Sequence, residues 1–101
     1  PEQLRIIPIT DAQISDADAL YARCKKLRIR ATIDTQSEKM GAKVRRAQMD
    51  KVPLMAIIGK REAQAEQVSV RSRKNGDEGP TSIYDFLDRL KSESCYTAAK
   101  V

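Results

Sequence analysis

Histidine and tryptophan are absent from these 101 residues and phenylalanine occurs once. Without histidine the chain has no side chain whose ordinary pKa lies near neutrality, which excludes Ser-His-Asp and Cys-His catalysis within it. Cys24 and Cys95 are far apart and have no companion ligands, which argues against a zinc site and for reduced, structural thiols. At 4% aromatic content there is little material for a stacking platform. No apolar run approaches the length that crosses a bilayer, and the opening PEQLRIIPIT lacks both a basic n-region and a small-residue cleavage site, so a cytoplasmic location is expected. The first strand-to-helix turn, Pro8-Ile9-Thr10-Asp11, lacks the glycine fingerprint that a pyrophosphate needs, which counts against a small nucleotide-binding enzyme.

What is present fits one folded domain. Hydrophobic residues make up 41% and charged residues 33%, a balance typical of a globular chain. Lys and Arg outnumber Asp and Glu by 19 to 14, so a polyanion is a natural partner, although modest positive charge also serves solubility. A start at Pro1 reads as an excised piece of something larger, and a processed or cloned terminus would look the same.

Periodicity divides the chain. Leu4 to Ile9 reads as a strand, with Pro8 near its end. Thr10, Asp11 and Ser15 offer helix-start chemistry, and Ala17, Leu20, Tyr21, Cys24 and Leu27 give the helix one apolar stripe. Arg23, Lys25, Lys26 and Arg28 crowd its end, where cations complement the helix dipole; an RNA contact is the less favoured reading. A second strand is expected at Arg30 to Asp34. A second helix is expected from about Glu38 to Asp50, with Met40, Val44 and Ala47 buried, Lys39, Lys43 and Arg46 as a basic stripe, and Gly41, Arg45 and Gln48 on the opposite flank. Leu54 to Ile58 is uninterrupted and apolar, as in a central strand buried on both faces, and Gly59 stops it. Gln67 to Arg73 alternates, with Val68, Val70 and Ser72 on one side and Ser69, Arg71 and Arg73 on the other. After an Asn75-Gly76 turn, Gly79-Pro80-Thr81 forms a brief extended segment, and Ser82 caps a last helix whose stripe is Ile83, Phe86, Leu87 and Leu90. The expected fold is a three-layer α/β domain over residues 1–92, with 93–101 as a flexible tail.

Three blocks carry a resemblance: IIPITD, then DTQSEKMGAKVRRAQMDKVPLMAIIGKRE, then VSVRSR with GDEG after it. In order and spacing, from about Leu4 to Leu90, they resemble the C-terminal anticodon-binding domain of threonyl-tRNA synthetases. The synthetases for proline, glycine and histidine share the fold and the K-V-P-like block, and the V-R-S-R strand points to threonine. The resemblance implies a five-stranded mixed sheet of order 2-1-3-4-5, with the fourth strand antiparallel, flanked by three helices. It also implies tRNA as partner, a domain without catalytic chemistry, cofactor or metal of its own, and a separate catalytic part that uses ATP, magnesium and zinc. The family dimerises largely through that part, so this chain is expected to be monomeric and its parent homodimeric.

Threonine anticodons share guanine in the middle and uracil third. An arginine fork pairs with two acceptors on guanine, and a carboxylate accepts an imino N–H of uracil. The resemblance places the guanine reader at Arg71 and the base-reading carboxylate at Glu62, in the turn after the third strand. Lys39 and Arg45 match positions that contact loop bases or backbone. Lys43 and Arg73 would add weaker attraction to phosphate. Where the family usually has asparagine before the E-K pair, this chain has Ser37, a shorter group with one hydroxyl. Without the resemblance, Arg71 and Arg73 read as a solvated strand face and Glu62 as a surface turn residue or a partner of Lys60. The alternative function is a repurposed domain of the same fold that binds a protein.

Overall fold

An apolar run with no polar side cannot face water on either surface, so it has to lie mid-sheet between helices. The computed structural model, which describes residues 3–36 and 39–100, places the run there. In chain order the elements are β1 (Leu4–Pro8), a 3-10 turn (Asp11–Gln13), α1 (Ile14–Lys26), β2 (Ala31–Ile33), α2 (Met40–Met49), β3 (Leu54–Ile58), α3 (Lys60–Ala65), β4 (Gln67–Ser72), β5 (Gly76–Ser82) and α4 (Ile83–Lys100). The sheet order is β2-β1-β3-β4-β5. β1 pairs in parallel with β2 and β3, while β4 runs antiparallel to both β3 and β5, as expected.

Side-chain alternation along each strand gives the sheet two faces. On one, Leu4, Ile6, Leu54, Ala56, Ile58, Val68 and Val70 pack under α1 and α4, which contribute Ala17, Leu20, Cys24, Phe86 and Leu90. Fully burying Phe86 alone is worth about 1.5–3 kcal/mol. The Cys24 thiol lies in this core, and burial raises its pKa to about 11. On the other face Val44 and Ala47 of α2 cover Ile7, Met55 and Ile57.

Local capping follows the sequence. Gln13 Oε1 accepts from the Thr10 backbone N–H and hydroxyl at 3.2 and 2.6 Å, and Ser82 Oγ accepts from the Asp85 N–H at 3.1 Å. Expectation and structure differ in several places. β2 is shorter than expected, because residues 30 and 34 lie outside its ladder. α3 adds a fourth α-helix, so Glu62 sits in a helical first turn rather than an irregular one. α4 runs on to Lys100, past the domain boundary expected at residue 92. Among the described residues no helix is long and apolar enough to cross a membrane.

Candidate nucleic-acid interface

Strand pairing sets one row of side chains across the whole α2 face: Thr32 on β2, Arg5 on β1, Met55 on β3, Arg71 on β4 and Asp77 on β5. A second row runs through Ile7, Ile57, Ser69 and Pro80. α2 covers the β1–β3 part of both rows. Ser69, Arg71, Asp77 and Pro80 lie outside that cover, so the β4–β5 half of this face is open to solvent.

The two flanks of α2 differ. Towards β1 and β2, Lys43 is buried, with Nζ donating to Pro8 O at 3.0 Å and to Asp34 O at 3.5 Å. Beside it, Arg46 donates to the buried Asp34 carboxylate at 2.9 Å, and Asp50 accepts from Arg5 at 3.0 Å. Expected as a phosphate contact, Lys43 is instead buried, and its ammonium ties α2 to the ends of β1 and β2. The expected exposed stripe of Lys39, Lys43 and Arg46 breaks up for the same reason. The opposite flank, Gly41, Arg45 and Gln48, is exposed and by helical periodicity turns towards β4. Lys39, the N-cap of α2, is also exposed.

Arg71 is half-buried. Its Nε is buried and, among the described residues, has no hydrogen-bond partner. Its Nη2 lies 4.0 Å from Asp77 Oδ2, too far for a hydrogen bond. The guanidinium is thus held near one carboxylate without its donors being consumed. Asp77 is itself fixed, because Oδ1 accepts from the Gly79 N–H at 2.9 Å. That short loop of chain uses a φ of +84° at Gly79, which favours glycine. The register slips between Val70 and Arg71, and Glu78 pairs with Arg89 of α4 at 2.9 Å. Hydrogen bonds from Arg89 and Ser72 hold the Glu78 carboxyl below its ordinary pKa.

Glu62 Oε1 accepts from the Gly59 N–H at 2.8 Å, the back-reaching half of a capping box. The missing side chain at Gly59 permits this, since a Cβ there would stand 2.7 Å from that oxygen and from Ile9 Cδ1. The glutamate expected to read a base therefore also starts α3. Both Glu62 and Lys39 stand at the end of the sheet where the parallel strands finish. Arg73 is at the other end, in the β4–β5 turn, its N–H bonded to Pro53 O at 2.9 Å. The structure thus separates Arg73 from Glu62 and Lys39, and Ser37 lies outside the described residues. Asp77 was missed in the sequence; its signal was the hairpin, since a turn centred on Lys74 sets residues 71 and 77 opposite each other. On the far face Tyr84 is 59% exposed, with Arg23 Cζ 5.6 Å from its ring centre.

The anticodon-binding domain family matches residues 3–93. The chain belongs to that family. Among curated relatives of this anticodon-binding domain, threonine–tRNA ligase of Clostridium botulinum strain Okra is 44% identical over 93 residues, 92% of this chain and 15% of the relative. Threonine–tRNA ligase of Caldanaerobacter subterraneus subsp. tengcongensis is 41% identical over the same share of this chain and 14% of the relative. The chain thus spans about a seventh of the length of these ligases. The fold recurs in the RNA-binding domain of threonyl-tRNA synthetase from Cryptosporidium parvum, with TM-score 0.84, 19% identity and coverage of 91% of this chain and 23% of that one. It recurs also in histidyl-tRNA synthetase from Nostoc sp. PCC 7120, with TM-score 0.84, 16% identity and coverage of 92% and 22%. Among the described residues of the domain, no group of His, Cys, Asp or Glu could hold a metal ion.

Proposed function

We propose that this anticodon-binding domain reads the anticodon loop of threonine tRNAs on the open β4–β5 half of the α2 face, as one part of a threonine–tRNA ligase. In that enzyme the ATP-dependent, metal-assisted charging would belong to a part outside this sequence. The observation that carries the reading is Arg71, a half-buried arginine on an uncovered sheet face with donors left unused. Specific RNA recognition targets unstacked loop bases by their edges, and an arginine fork suits the two acceptors of guanine. Arg45, on the flank of α2 that turns to β4, supplies the loop backbone with a cation, and Lys39 does so nearer the end of the sheet. Glu62 has one oxygen on the Gly59 N–H, and its second serves as acceptor for uracil.

The test is a titration of the domain, at fixed moderate salt, into two labelled stem–loops, one with a threonine anticodon and one with the middle guanine replaced by adenine. A good bidentate base contact supplies about 1–3 kcal/mol of discrimination, so the first loop should bind roughly tenfold better or more. Arg71→Ala should remove most of that preference. Equal binding of both loops by the unmodified domain overturns the reading and favours a protein partner.

A further inference from the structure

We infer that Asp77 is a positioning residue for Arg71, making it a reader of base edges rather than of phosphate. This rests on the reading of Arg71 just proposed. The two residues are directly paired across β4 and β5. One carboxylate oxygen of Asp77 is tied to the Gly79 N–H, which fixes the rotation of the group, and the other faces Arg71 Nη2 at 4.0 Å. Both sides of the arrangement are built by the backbone: the slipped register beside Arg71 and the left-handed Gly79.

The distance decides what the pair can do. At 4.0 Å the carboxylate attracts and aims the guanidinium but does not take a hydrogen bond from it. A lone arginine on an open face would seize whichever phosphate came nearest, and phosphate contacts carry no sequence information. With a fixed counter-charge beside it, the site has little net charge to offer an anion. A guanine edge is neutral, so the carboxylate does not repel it, and the aimed donors meet its two acceptors. Asp77 thus suppresses attraction to backbone while leaving hydrogen bonding to the base intact. The contact with the Gly79 N–H needs only an oxygen acceptor, and stability is a poor account of the charge, since the side chain is 65% exposed and an exposed ion pair of this length adds little.

The experiment compares the unmodified domain with Asp77→Asn, Asp77→Ser, Arg71→Ala and the double variant Arg71→Ala/Asp77→Asn on the same two stem–loops over a range of salt. Asn and Ser both retain a short oxygen acceptor for the Gly79 N–H, so the turn should persist and the melting temperature should hold. The inference expects either neutral variant to bind the adenine loop more tightly and to lose most of the roughly tenfold preference for guanine. Their affinity should also fall more steeply with salt, the slope growing by about 0.7 as one more phosphate is engaged. In the Arg71→Ala background Asp77→Asn should change neither quantity. If Arg71→Ala abolishes the preference while both neutral variants keep it with an unchanged slope, the inference fails and the reading of Arg71 stands. If Arg71→Ala itself keeps the preference, both fail.

Discussion

Arg5 and Arg71 occupy the same row of the same sheet face, one on each side of Met55, and each has an aspartate within reach. Arg5 is 13% exposed and bonded to Asp50 at 3.0 Å; Arg71 is 32% exposed, 4.0 Å from Asp77, with Nε unpartnered. The difference comes from α2. Over β1 the helix supplies Asp50 at its C-cap and covers the strand, so the cation there is consumed in holding the fold together. Over β4 and β5 it supplies nothing, and a cation keeps its donors for a ligand. Basic residues on one sheet face can therefore be structural or functional according to what lies above them.

The sharpest way to break that contrast is Lys43→Ala. It leaves the Pro8 and Asp34 carbonyls buried without their donor, which should cost about 2–3 kcal/mol in a denaturant melt. A melt unchanged by the substitution would mean that the closed flank is no more structural than the open one. Next comes the row itself. Arg5→Ala should lose about 1 kcal/mol, through the ion pair and the packed stem. Arg71→Ala should stay within about 0.5 kcal/mol of the parent, since it removes a buried donor that has no partner. Equal losses at both sites would erase the distinction. Glu62 belongs to both categories. Glu62→Ala should cost about 1 kcal/mol or less as the α3 cap is lost, whereas Glu62→Gln keeps an acceptor for the Gly59 N–H and should retain stability while weakening discrimination at the third anticodon base.

Strand order and the antiparallel β4 came with the family resemblance. The core stripes of α1 and α4, and Val44 and Ala47 of α2, were legible because burial imposes a period that survives in sequence. Met40, expected in the α2 stripe, is instead 39% exposed. α3 was not legible. Its start carries no Ser, Thr, Asp or Asn, and only the three-residue step from Gly59 to Glu62 hinted at a capping box. Its end carries no glycine either, because Glu66 itself takes the left-handed conformation with φ 54°. Lys43 was misplaced for a different reason. Helical spacing tells which residues share a flank, but it does not reveal that the flank lies against two strand ends whose carbonyls need a donor. Asp77 was hidden because a pairing across a hairpin depends on where the turn is centred, and the Asn75-Gly76 signal points to a centre later than Lys74.

β4 keeps its two tasks on alternate residues. Val68 and Val70 hold it in the core, while Ser69 and Arg71 face outward and are bound by no packing from above. Natural selection can therefore rewrite every second letter of this strand without disturbing the letters between. A change in what this face binds need not begin with a loss of stability.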